Sequence, residues 1–465
     1  MKNIIVIVLD TLRQDVCGCY GSTLGATPVI DVLAEESVKL THCLPASFPT
    51  GPMRKDLHFG RYAFPHHSWR TPIGKEEISI AQVAARGGYH VGMVSDVRNS
   101  QFPYRIADYN LVDCRTYDPE TMPDWKKMKL PARASKLRTP VQRLKTLLAH
   151  RASFKSEEDH CCARVFREAH QWLEKRAHGK KPFLLFVDSF DPHEPWNAPE
   201  YYVDLFDPGY KGNALFEPAY ARAGFATPRE IRHMKMLYAA KVALVDKWLG
   251  FFLDGVLRMG LWDDTAIVVT SDHGFYHGEH GLIGKMELSK KDSRPTRRWA
   301  LYDTIMRVPL LIKVPGAKPR VNRALCQPPD IAATIVDLAG CKIPKRWHGR
   351  SLVPIVKGKT KKHRPWALSS FTFEDEKDVR TPTCFRTERY LYVYGGDEWP
   401  HELFDLKMDC GQTKNIIRSK MTTAKRLHRQ FLNALSEINA RNESMSLRQE
   451  FMPMPRDVSG VRSIL

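Results

Sequence analysis

The run Asn3-Ile4-Ile5-Val6-Ile7-Val8-Leu9-Asp10 constrains the fold of this chain more than any other feature. It carries no charge before its last residue, and its β-branched side chains favour an extended backbone. An apolar run of this length, with no polar alternation, suits a strand covered on both faces of a parallel sheet. A second run far downstream, Ala266-Ile267-Val268-Val269-Thr270-Ser271-Asp272-His273-Gly274, has the same texture. Both end in side chains able to bind a metal. In open α/β sheets, ligands and catalytic groups gather at the carboxyl ends of strands. The pattern predicts that Asp10, Asp272 and His273 meet at one cation, although more than half of the chain lies between the two runs.

Strand-like and helix-like segments alternate between and beyond these runs. Val91 to Val94, Phe183 to Val187 and Val308 to Val314 read as strands. Val29 to Ser37, Ile78 to Arg86, Ser156 to Arg176, Pro228 to Met259 and Asp330 to Ala339 read as helices. Such alternation predicts an α/β fold with a large, mainly parallel sheet sandwiched by helices. After residue 363 the texture changes to short strand-like pieces (Trp366 to Phe373, Thr383 to Arg386, Tyr390 to Tyr394, Glu402 to Leu406) and a helix near 421–441. The expected organisation is a catalytic domain over 1–362, an antiparallel subdomain over 363–441 and an arm over 442–465, a candidate for homo-oligomer contacts.

At 465 residues, with 43% hydrophobic and 26% charged residues, the chain has the composition of a soluble globular enzyme. No segment reaches the roughly 20 apolar residues that a membrane helix needs, and the N-terminal run lacks a cleavage site. The expected location is cytoplasmic. Ten cysteines without a Cys-x-x-Cys pair read as reduced packing residues, Cys161-Cys162 and Cys17-x-Cys19 included. The net charge of +19 favours anionic substrates. Much of it sits in 126–155, read either as a solvated insertion or as a lid that attracts a phosphate or sulfate ester. No nucleic-acid-binding motif accompanies the charge.

Further motifs lie between the two metal-capable strands, at Gly18-Cys19-Tyr20-Gly21, Thr27-Pro28-Val29-Ile30-Asp31-Val32-Leu33-Ala34 and Ser47-Phe48-Pro49-Thr50-Gly51-Pro52-Met53-Arg54. Downstream stand Asp272-His273-Gly274, Gly278-Glu279-His280, Gly284-Lys285, Arg307-Val308-Pro309 and Glu402-Leu403-Phe404-Asp405-Leu406. In this order they resemble the sulfatase branch of the alkaline phosphatase superfamily along nearly the whole chain. The resemblance implies an alkaline-phosphatase-like fold and a metal-dependent ester hydrolase. The nucleophile motif of that branch is Cys (or Ser)-x-Pro-Ser-Arg, whose first residue is oxidised to formylglycine. Here the nucleophile position is Thr50 and the family's Ser is Met53. Thr cannot yield the aldehyde, so an unmodified Thr50 hydroxyl, steadied by Arg54, resembles the threonine nucleophile of superfamily phosphodiesterases.

Two other departures bear on substrate. Beside Gly88-Tyr89, where sulfatases commonly carry Gly-Lys-x-His, this chain has Ser95-Asp96-Val97-Arg98. Asp96 there could repel a sulfate, hold a second cation or meet a cationic substrate group. Asp10-Thr11 replaces the two Asp of many sulfatases, and Asp-His replaces Asp-Asn, as in phosphonate monoester hydrolases. Fewer carboxylates leave a cation less neutralised, which suits a phosphoryl group. Asp191-Pro192-His193-Glu194-Pro195 matches the family loop whose His contacts the leaving oxygen, and Lys285 the Lys that touches the transferred group.

The resemblance thus implies one divalent cation (Ca²⁺, Mn²⁺ or Zn²⁺) on Asp10, Asp272, His273 and Thr50, with a second ion left open. Thr50, Arg54, His193 and Lys285 are the candidate catalytic residues, and Asp96, Arg98 and His280 the candidate substrate-binding ones. His277 reads as a neighbour or an extra ligand. The leading expectation is hydrolysis of phosphate diesters or phosphonate monoesters, small anionic esters in either case. A sulfatase and an inactive anion-binding homologue are the alternatives.

Overall fold

A computed structural model describes residues 2–69, 71–97, 104–114, 122–373 and 380–451. The chain divides into two compact units. The first comprises Met1–Lys39, Gly88–Thr296 and Pro309–Arg320; the second comprises Leu40–Gly87, Arg297–Val308 and Val321–Leu465.

In the first unit the apolar run is the central strand Asn3–Leu9. Phe183–Ser189 pairs with it in parallel on one side and Thr265–Thr270 on the other. His90–Ser95 and Asp108–Leu111 extend the parallel part beyond Phe183–Ser189, and Val308–Lys313 lies on the far side of Thr265–Thr270, antiparallel to it. Successive strand residues point to opposite faces. Ile5, Ile7 and Leu9 join the core shared with Phe166, Ala169, Leu249 and Phe252 of the helices Cys161–Glu174 and Pro228–Arg258. Ile4, Val6 and Val8 face the other way and are buried as well. The expected two-sided burial is therefore present. The 31-residue helix starts at a capping box, in which Thr227 Oγ1 accepts from the Glu230 amide and the Glu230 carboxylate from the Thr227 amide. Such a cap stabilises by about 1 kcal/mol. Among the described residues no helix is long and apolar enough to cross a membrane.

Register positions the site. Val8 pairs with Thr270 and Leu9 with Ser189, so the three central strands end level with one another. The residues that follow them, Asp10, Phe190–Glu194 and Ser271–His273, are delivered to one edge of the sheet.

In the second unit five strands run in the order Glu402–Asp405, Tyr390–Tyr394, Thr383–Arg386, Ala367–Phe371 and Ser47–Phe48. The first four are antiparallel, as expected, and the helix Met421–Glu437 packs Leu427, Phe431 and Leu435 against them. Ser47–Phe48 departs from expectation, because an N-terminal segment joins this sheet in parallel. The residues after it form the helix Thr50–Phe59, all ten of them buried. Gly51 and Pro52 both lie in its first turn, where proline costs no hydrogen bond.

Candidate metal centre and its surroundings

Asp10, Asp272 and His273 are fully buried, and one donor atom from each lies within 4.8 Å of the others. The backbone fixes them. The Asp10 amide donates to the Ser189 carbonyl at 3.0 Å, and the amides of Thr11 and His273 both donate to Asp272 Oδ1 at 2.8 Å. Leu12 N–H donates to Ser271 Oγ at 2.9 Å, tying the two strand ends together once more. His273 Nδ1 lies 2.9 Å from the Gly274 carbonyl, which can only accept. The ring proton therefore sits on Nδ1, leaving Nε2 as the donor of a lone pair. Thr11 has φ 64°, a left-handed conformation that costs a β-branched residue on the order of 1–3 kcal/mol. That strain aims its amide at Asp272 and its hydroxyl at Asp10 Oδ1, 2.7 Å away. Two carboxylates buried this close repel each other unless a positive charge lies between them. Two oxygen donors and one imidazole nitrogen fit a divalent cation with positions left for a substrate.

Lys285 and His193, both inferred from motifs, adjoin this cluster. Lys285 Nζ donates to Thr11 Oγ1 at 3.1 Å, completing a chain from Lys285 through Thr11 to Asp10. Lys285 also lies 3.8 Å from Glu194 Oε2, and His193 Nδ1 lies 3.2 Å from that oxygen. Arg138 is 3.1 Å from Glu194 Oε1, and the Tyr220 hydroxyl donates to the same oxygen. Burial alone would raise the Glu194 carboxyl, but Lys285, Arg138 and the Tyr220 hydroxyl outweigh it and hold it at about 2. Burial pushes the His193 imidazole well below its usual value, against the opposing pull of Glu194. The ring is thus neutral at pH 7 in this state, with Nδ1 donating to the Glu194 carbonyl at 2.5 Å.

The contacts made by Glu194, Arg138, Tyr220 and Thr11 were not expected from the sequence. Arg138 belongs to the basic run 126–155, and its pairing with Glu194 and Glu217, like that of Lys136 with Glu230, neutralises part of that run. His277 is no ligand in this geometry. Its Nδ1 lies 3.0 Å from an Arg13 nitrogen, its ring packs among Trp196, Tyr238 and Phe275, and burial pushes it down to about 3. His280 is half-buried at φ 55°, between Gly278 and Gly281, both also in left-handed turns.

Asp96 groups with Cys114 and Cys161, a second set of donors separate from the Asp10 cluster. Its Oδ1 accepts from the Phe190 amide at 2.7 Å, and burial, with Asp191 nearby, pushes its carboxyl up to about 7. Arg98 lies outside the described residues. The second unit carries Thr50, the first residue of its helix and 6% exposed, and the fully buried Arg54. The i, i+4 spacing places both on one helix face. Asp56 anchors this segment, accepting from the Ser47 amide and hydroxyl, each at 2.7 Å, and from the Ala63 amide at 2.6 Å.

Residues 2–341 match the family model described as Sulfatase, and residues 296–441 match that of the C-terminal part of N-sulphoglucosamine sulphohydrolase. An ulvan-active sulfatase of Formosa agariphila is 25% identical, over 89% of this chain and 77% of its own length. The multifunctional alkaline phosphatase superfamily protein PehA of Trinickia caryophylli is 23% identical, over 89% and 91%. The crystal structure of a phosphonate monoester hydrolase of Agrobacterium radiobacter superposes with a TM-score of 0.71 at 22% identity, covering 95% of this chain and 96% of that one.

Proposed function

Because the chain belongs to the sulfatase family and is an ester hydrolase, we propose that it cleaves phosphate diesters or phosphonate monoesters with Thr50 as the nucleophile. The observation that carries this reading is Thr50 itself, a hydroxyl that formylglycine chemistry cannot use, at the family's nucleophile position. Asp10, Asp272 and His273, with Thr50 as a fourth donor, would hold the cation, whose Lewis acidity polarises oxygen and stabilises developing negative charge. The Thr50 hydroxyl gives up its proton to solvent, its oxygen attacks phosphorus in line and the bond to the leaving oxygen breaks. Arg54 and Lys285 neutralise the oxygens that do not react, and His193 delivers a proton to the departing alkoxide. His193 is neutral without substrate, so the negative charge of the bound ester must first raise it into its protonated form. Water then cleaves the phosphothreonine. His280 contacts substrate oxygens, and the exposed part of the basic run 126–155 steers the anionic ester inward.

A sulfatase is the second reading, favoured by the resemblance to the ulvan-active enzyme. The two separate on a panel of aryl sulfate, phosphate diester and phosphonate monoester, each assayed with Ca²⁺, Mn²⁺ and Zn²⁺. The proposal expects a diester or phosphonate to give the highest kcat/KM. A higher value for the aryl sulfate would refute it.

A further inference from the structure

We propose that Asp96, Cys114 and Cys161 form a second metal site, apart from Asp10, Asp272 and His273, that binds Zn²⁺ or another thiophilic divalent cation. One ligand atom from each lies within 4.8 Å of the other two, and all three residues belong to the first unit. Sequence scatters them; topology collects them. Asp96 directly follows the strand His90–Ser95, and Cys114 lies just past the parallel neighbour Asp108–Leu111. Cys161 is the first residue of the helix Cys161–Glu174, where the helix dipole favours a thiolate. The Cys114 and Cys161 thiols are within hydrogen-bonding reach of each other, and none of the ten cysteines is in a disulfide.

Two sulfurs and a carboxylate oxygen are a donor set for tetrahedral zinc with water as the fourth ligand. Such a site places its sulfurs about 3.8 Å apart, inside the 4.8 Å within which the three donor atoms lie. Cys114 packs against the apolar core, and Asp96 and Arg164 are charged groups that act on its thiol. Burial, then Asp191 and Asp188, oppose ionisation of Asp96, and the contact with Cys161, then burial, oppose that of Cys114. A divalent cation would offset the charge on the carboxylate and both thiolates together, as the thiol protons leave for solvent.

The cation would brace the loop that carries His193. Asp96 accepts from the Phe190 amide, and the Phe190 ring stacks on the His193 imidazole with centroids 4.1 Å apart. Cys162 N–H, next to Cys161, and Lys241 both hold Asp191, at 3.2 and 2.9 Å. Asp96, Cys114 and Cys161 are therefore positioning residues and touch no reacting atom.

The test uses the full chain, reduced and stripped of metal, titrated with Co²⁺. Thiolate-to-cobalt charge-transfer absorption should appear, yield to Zn²⁺, and vanish in Cys114→Ser and in Cys161→Ser. Both variants should still bind Co²⁺ at Asp10, Asp272 and His273, which gives no such absorption, so failure of that centre would show separately. A measurement that needs no variant is alkylation followed by peptide mass spectrometry. Zn²⁺ should slow modification of Cys114 and Cys161 by about tenfold or more and leave the exposed Cys410 unchanged. Absence of the charge-transfer band, its persistence in either variant, equal alkylation with and without Zn²⁺, or a Cys114–Cys161 disulfide in the purified protein would each overturn the proposal.

Discussion

Thr11 shows how much one side chain can organise. Its amide holds Asp272, its hydroxyl donates to Asp10, and that same oxygen accepts from Lys285. Thr11→Val keeps the shape and the β-branch but removes the oxygen, so Lys285 and Asp10 each lose a charge-assisted partner. Hydrogen bonds to charged groups contribute about 1.5–3 kcal/mol, so kcat on the best substrate of the panel should fall by about 10–100-fold. An unchanged kcat would mean that the Lys285–Thr11–Asp10 chain plays no part in turnover. Asp10, Asp272 and His273 were legible in sequence because each terminates a recognisable strand, and strand ends in such sheets converge. Thr11 was not legible as a hub, since nothing in the letters Asp-Thr signals a left-handed backbone. Glu194 was missed for another reason. Its partners Arg138, Tyr220 and Lys285 come from three separate stretches, and only the fold brings them to one carboxylate.

Among the elements, the strand His90–Ser95 and the helix Cys161–Glu174 approach each other closely. A Cβ added at Gly92 would fall on the Trp172 ring, and Trp172 cannot swing away without releasing Asp108, to which its Nε1 donates at 2.8 Å. Gly92→Ala should therefore destabilise by about 1–3 kcal/mol through overpacking, read as a lower urea midpoint at unchanged slope. No loss of stability would show that the ring has room to move. A different element supplies a pH dependence. Glu402, on a strand of the second unit, accepts from the Tyr302 hydroxyl at 2.5 Å and Trp399 Nε1 at 3.1 Å, yet burial pushes its carboxyl from 4.5 up to about 7. Its proton is retained by the folded state after the unfolded chain has released it. The stability this confers is full below about pH 4.5 and is lost as pH rises through about 7. Glu402→Gln carries no titrating proton, so the variant should gain on the wild type by on the order of 1–3 kcal/mol between pH 4.5 and pH 8. Urea unfolding at both pH values checks this, and an equal difference at the two would contradict it. Long apolar elements were legible because their period is unambiguous. The strand Val38–Cys43 was missed, since Lys39, Thr41 and His42 interrupt it and only its other positions are buried. The helix Thr50–Phe59 was masked by its own Gly51 and Pro52.

For the whole molecule, the motif order carried the family assignment, and the match over residues 2–341 agrees with it. Chemistry narrower than the family turns on one substitution. Family membership alone is compatible with sulfur or phosphorus at the centre of the ester, and the fold is shared by enzymes named for either. The proposal rests on Thr50 as the nucleophile, so the most direct measurement is made on that residue. The metal-loaded protein is mixed with an excess of an aryl phosphonate monoester, quenched in acid within one turnover and digested, and the mass of the peptide carrying Thr50 is determined. A phosphonyl adduct on Thr50 is predicted, appearing no slower than the aryl alcohol and lost without metal. In Thr50→Ala the adduct should be absent and turnover reduced by at least about 10³-fold. Turnover with Thr50 unmodified throughout, or an adduct on another side chain, would contradict the account.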